Sequence, residues 1–137
     1  MTTGAMHVRL RVGREMYALP IENVLEVAEL GQLATVPGSG AGLLGVCNFH
    51  GQVLPVFDLA YVLGIPHEQN APRLVVTDQG GRRAGFAVDE VTDVAPLEGA
   101  LEETETAHHA HATLEQGQLV GVVDVASLFG ALAAEAA

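Results

Sequence analysis

The 137-residue chain has no lysine, no tryptophan and one cysteine, Cys47. Each absence removes a class of chemistry. Without lysine there is no Schiff-base nucleophile and no P-loop, whose motif requires Gly-Lys. A lone cysteine excludes an internal disulfide framework and makes the cytoplasm the expected location. Aromatic residues make up 4% of the chain, leaving few platforms on which bases or sugars could stack. No apolar run reaches the ~18 residues of a membrane-spanning helix. The most apolar stretch, Leu119 to Ala137, is interrupted by Asp124, Ser127 and Glu135. The opening Met1-Thr2-Thr3-Gly4 lacks the basic start and apolar block of a secretory leader, so none is expected.

Positive charge is scarce and confined to one half. The six basic residues are all arginines, Arg9, Arg11, Arg14, Arg73, Arg82 and Arg83, and residues 84–137 contain none. The net charge is −11. Nucleic-acid binding needs a cationic face that displaces counterions, so a nucleic-acid partner is not expected. What the chain does have is aliphatic bulk: 49% of its residues are hydrophobic and its mean hydropathy is +0.30. Carboxylates supply the solubility. That balance suits one domain with a large core and aliphatic surface patches, and such patches mark protein partners.

One pattern is written twice. Residues 51–64, from Gly51-Gln52-Val53 to Gly64, reappear as residues 117–130, from Gly117-Gln118-Leu119 to Gly130, at an offset of 66. Asp58 thereby matches Asp124. Leu19 to Val27 matches Phe86 to Val94 more loosely, at an offset of 67. Two copies are too few for a solenoid, so two similar small β units in one body are expected.

Met6 to Val12 alternates strictly between apolar and polar residues, the period of a half-buried strand. Short apolar runs follow at Met16–Leu19, Leu43–Cys47, Gln52–Phe57, Arg73–Thr77, Arg82–Val88 and Gln118–Val123, separated by glycine-rich turns. That spacing predicts an all-β barrel or sandwich. Val27 to Val36 reads as a strand interrupted at Gly31, Glu98 to Thr106 as a solvated acidic loop, and His108 to Glu115 as a helical turn. Asp58 and Asp124 stand where each would cap a short helix, at Leu59–Leu63 and Val125–Phe129.

Three ordered blocks carry a family likeness: Met16 to Val27, containing Tyr17-Ala18-Leu19-Pro20-Ile21; Gly45 to Leu59, containing Asn48-Phe49-His50-Gly51; and Gly85 to Val94. From about Met6 to Leu132 the chain resembles the CheW-like domain of bacterial chemosensory scaffold proteins. The resemblance implies two five-stranded β barrels around a shared core, with short helical turns, no catalysis and no cofactor. It implies one domain over 1–137, with a first barrel near 15–70 and a second near 71–132, the strand at 6–12 belonging to neither in particular. It also implies an adaptor that joins a chemoreceptor or related sensory protein to the regulatory domain of a CheA-type histidine kinase. The positions implied to meet a partner are Val24, Glu26, Val27, Asn48, His50, Gly51 and Val53. Two features depart from the family pattern: its signature arginine is His50 here, and the connection from Leu97 to Gln118 is short. If adjacent, Glu26 would pair with His50 and orient it.

Other motifs have plainer readings. Gly40-Ala41-Gly42-Leu43-Leu44-Gly45 spells G-x-G-x-x-G, but the dinucleotide mechanism needs a strand before it and a long helix after it. It reads as a loop. Cys47 sits in an apolar context with no cation to lower its pKa, as an inert thiol would. A metal- or ligand-sensing β barrel using Cys47, His50 and the His108, His109, His111 cluster is the alternative reading of the chain.

Overall fold

The computed structural model describes residues 5–66, 71–97, 102–107 and 110–136. In chain order they form β1 (Met6–Val12), β2 (Glu15–Pro20), a 3-10 turn (Ile21–Asn23), β3 (Val24–Glu29), β4 (Leu43–Phe49), β5 (Gln52–Asp58) and α1 (Leu59–Leu63). Then come β6 (Arg73–Gln79), β7 (Arg82–Val88), β8 (Glu90–Pro96), β9 (Glu102–Ala107), β10 (Ala110–Glu115), β11 (Gln118–Val123) and α2 (Val125–Ala136). The alternation read in β1 holds, since Val8, Leu10 and Val12 are buried. Asp58 caps α1 by accepting the Ala60 N–H at 3.1 Å, and Asp124 accepts the Ser127 N–H at 3.1 Å. The second helix runs past Phe129 because the alanine-rich tail has high helix propensity.

The strands make two sheets, as the two-unit all-β expectation required. One has the order β8-β1-β2-β11-β10-β9 and the other β3-β6-β7-β5-β4. Among the described residues neither ladder closes on itself into a barrel. The five-stranded sheet brings its two edges together by other means: the chain beyond β3 bridges Ala34 to Val46 of β4, with reciprocal N–H···O bonds of 2.9 Å.

Sheet membership cuts across the expected boundary between residues 70 and 71. The hairpin β1–β2 precedes that boundary yet joins β8, β10 and β11, while β6–β7 follows it yet joins β3, β4 and β5. Each copy of the repeat lends its opening hairpin to the other. The exchange is symmetric: replacing β8, β1, β2, β11 and β10 by their repeat mates gives β3, β6, β7, β5 and β4, the order of the second sheet. Even the parallel junctions match, Val122 opposite Ala18 in one sheet and Val56 opposite Gly85 in the other. The strand at 6–12 thus lies inside the six-stranded sheet, between β8 and β2.

Local expectations failed in the connection before β11. Ala110–Glu115 is a strand paired along its length with β11, where a helical turn was expected, and Glu102–Ala107 forms an edge strand within the expected acidic loop. His108 and His109 lie outside the described residues. The interrupted strand expected over Val27 to Val36 ends at Glu29.

The exchange creates three apolar cores. Leu10, Leu19, Phe57, Val75, Phe86 and Leu128 belong to the shared one, which both helices help close. The opposite face of the five-stranded sheet holds Leu54, Val56, Leu74 and Val76, flanked by Cys47 and Phe49. The matching face of the other sheet holds Ala18, Val120, Val122 and Leu97. On the shared-core face of the same strand Gly121 is required, because an added Cβ would lie 2.7 Å from two ring carbons of the buried Tyr17.

Candidate functional site

The β4–β5 hairpin turns through His50-Gly51, with φ of 49° and 85°. Two successive positive φ values make the tight turn whose twist matches paired strands, and they explain the glycine. Asn48 secures the turn by accepting the Gly51 N–H at its Oδ1, 3.1 Å away. The His50 ring stands edge-on to Phe49, with centroids 4.4 Å apart. Its Nε2 lies 3.3 Å from Oε1 of Glu26, in side chains that are 72% and 44% exposed. Glu26 is on β3 and His50 follows β4, the two edges of the ladder, so the pair spans the seam of the sheet.

The seven positions suggested by the family resemblance fall on two faces. Val24 and Val27 point toward the shared core and pack against it. Glu26 is opposite Val76, on the other face, which carries the Leu54 cluster. Val53, opposite Asn48, is 77% exposed at the tip. Glu26, Asn48, His50, Gly51 and Val53 are therefore the members that solvent reaches. Leu25, exposed at the bulge between Val24 and Glu26, escaped the sequence reading. The signal was an unbroken Val24-Leu25 pair in a strand, which cannot bury both side chains unless the backbone slips.

The repeat places a second tip at the far hairpin. Gln116-Gly117, with φ of 51° and 81°, is the same turn as His50-Gly51, and these are the only two non-glycine residues of positive φ among those described. Leu114 and Leu119 pair across it and are 60% and 55% exposed. Beside them a shallow groove is lined by Arg14, Met16, Tyr17, Gln118 and Leu119. Burial pushes the Tyr17 phenol well above the ordinary tyrosine range, and the Glu15 carboxylate, to which its hydroxyl donates at 3.3 Å, adds to that.

The remaining candidates disperse. Cys47 faces the Leu54 cluster, and burial raises its thiol pKa, as suits an inert residue. His111 sits on β10 in the other sheet, so the ligand set for a metal is not brought together by Cys47, His50 and His111. Asp58 and Asp124 are caps at the ends of separate sheets rather than an acid–base pair. In the glycine-rich hexapeptide, Leu43 to Gly45 enters β4, and no helix follows for a pyrophosphate to rest on.

Comparison with known proteins agrees with this architecture. The sequence profile of the CheW-like domain matches residues 7–133. The chain is 34% identical over 89 residues to a probable chemotaxis protein CheW of Rhizobium etli, covering 64% of this chain and 57% of that protein. It is 39% identical over 83 residues to the protein FrzA of Myxococcus xanthus, covering 59% and 52%. Those matches span about half the length of each relative. The crystal structure of the scaffolding protein TtCheW from Thermoanaerobacter tengcongensis superposes with a TM-score of 0.80 at 22% identity, over 88% of this chain and 89% of that one. The chain belongs to the CheW-like domain family.

Proposed function

We propose that this protein is a cytoplasmic adaptor that couples a chemoreceptor, or a related sensory protein, to the regulatory domain of a CheA-type histidine kinase through protein–protein contacts. The observation that carries this reading is Val53, an aliphatic side chain left 77% exposed at a rigid hairpin tip whose seam is spanned by Glu26 and His50. Val53 is the most exposed large hydrophobic side chain among the described residues, ahead of Leu114 at 60% and Leu119 at 55%, and its exposure adds nothing to the protein's own stability. The receptor meets Glu26, Asn48, His50, Gly51 and Val53, while Val24 and Val27 shape β3 from beneath. The pair Leu114 and Leu119 at the second tip is the corresponding apolar surface for the kinase.

Calorimetric titration of the purified protein with the receptor signalling fragment and the kinase regulatory domain from the same genome tests this. Val53→Asp should weaken receptor binding more than tenfold, and Leu119→Asp kinase binding by a similar factor, since each forces a desolvated charge into an apolar contact. Absence of binding to both partners by the unmodified protein would end the reading.

A further inference from the structure

The repeat sets two acids at equivalent points, Glu26 on β3 and Asp93 on β8, and the molecule treats them differently. Asp93 is neutralised from within. Arg9 donates to it from Nε at 2.7 Å and from Nη2 at 2.5 Å, a bidentate grip that holds its carboxyl below the usual range. Glu26 has no such partner. Its neighbour among the described residues is the single ring nitrogen of His50 at 3.3 Å, which cannot offer a guanidinium's fork. Lysine is absent, and the arginines of this sheet are turned elsewhere. Arg83 donates to Asp78 and Gln52, Arg82 lies over the Phe129 ring, and Arg73 faces Glu29 across the ladder.

A carboxylate thus stands at the tip with Phe49 and His50 beside it and Val53 bare on the same hairpin. Covering it with an apolar or acidic surface would bury an uncompensated charge, which is strongly unfavourable. We propose that the partner seated on the β4–β5 tip presents an arginine or lysine to Glu26, with an aliphatic side chain alongside for Val53. This rests on the adaptor reading and adds the chemistry that selects the partner.

Two measurements test it, one of which needs no partner. Acetyl-arginine amide, titrated into the isotope-labelled protein and followed by NMR, should shift the side-chain signals of Glu26 and His50 and leave Asp93 unmoved, whereas acetyl-norleucine amide should not. Equal shifts at Glu26 and Asp93, or none at Glu26, would overturn the proposal. In the binding titrations, Glu26→Gln should lower affinity for the partner at this tip about fivefold, as loss of a partly exposed ion pair does. His50→Arg should lower it comparably, because the new guanidinium would take the carboxylate for itself. Glu22→Gln, the same change of net charge on the neighbouring exposed turn, is the control and should leave affinity unchanged. Binding that is intact in the wild type and indifferent to Glu26→Gln sinks the proposal and spares the adaptor reading. A wild type that binds neither partner sinks the adaptor reading, and the arginine-amide shifts then decide the proposal alone.

Discussion

The two sheets share strand order, hairpin turns and parallel junctions, yet they fill four matching positions with opposite chemistry. On the face away from the shared core, the five-stranded sheet carries Leu74, Val76, Cys47 and Phe49. The repeat mates of these residues in the six-stranded sheet are His7, Arg9, Thr113 and Glu115. His7, Thr113 and Glu115 are buried, with the Thr113 hydroxyl donating to Glu115 at 2.9 Å and Arg9 reaching Asp93. One unit is held on that face by dispersion and exclusion of water alone, the other by polar pairs beside a smaller apolar cluster of Ala18, Val120 and Val122. Backbone topology therefore does not dictate what fills a sheet's second face. A polar filling is the more exposed to pH and salt.

The hairpin exchange offers the most drastic way to break the comparison. Residues 1–70 and 71–137, produced as separate chains, should each show no cooperative unfolding, and mixing them should restore the β signal in circular dichroism. A folded, soluble half on its own would show that exchange is not obligatory. Next in size is the shared core. Phe86→Ala should cost about 3–5 kcal/mol by denaturant titration, and Leu54→Ala, on the satellite face, about 2–4 kcal/mol. Gly121→Ala, which drives a methyl into the Tyr17 ring, should cost about 1–3 kcal/mol, whereas Gly117→Ser, with open space around it, disturbs packing far less and is penalised only by its positive φ.

The polar sheet makes a weaker, pH-dependent test. The Arg9 grip lowers the folded-state pKa of Asp93, so its stabilisation is present above the unfolded value near 4 and is lost as pH falls through the folded one. For so exposed a pair the contribution is about 0.5–1 kcal/mol. Asp93→Asn should therefore lower the midpoint of urea denaturation slightly at pH 7, and by progressively less as pH falls through the folded-state pKa of Asp93. Hydrogen exchange below the folded-state pKa of Asp93 should likewise open β8 and β1 before β6 and β7. Smallest of all, Glu26→Gln should change stability by less than about 0.5 kcal/mol, since the pair it breaks is exposed. A large loss there would recast Glu26 as a structural residue.

Much of this was legible in the sequence because it is local. Alternation in β1, the caps at Asp58 and Asp124 and the glycine-rich turns between strands all depend on near neighbours, and the repeat at an offset of 66 is visible as a copied pattern. The nearness of Glu26 and His50 came from the family resemblance rather than from pattern. The exchange of hairpins was invisible, because the repeat reads the same whether each copy keeps its opening strands or trades them. The strands at Glu102–Ala107 and Ala110–Glu115 were missed for a related reason. Alanine, glutamate and histidine have little intrinsic preference for extended backbone; pairing with β11 imposes it on Ala110–Glu115, and pairing with β10 imposes it on Glu102–Ala107. The polar filling went unread too, since His7 and Arg9 alternate with Val8 and Leu10 as solvent-facing residues would.

The trading of opening strands bears on how the protein is made. When a ribosome has released the first seventy residues, neither sheet has its full complement, because β1 must wait for β8, β2 for β11 and β3 for β6. Unpaired strand edges therefore persist on the nascent chain until β11 has emerged, a state prone to association with its neighbours. Slowing translation late in the message should reduce the soluble yield more than the same delay placed early.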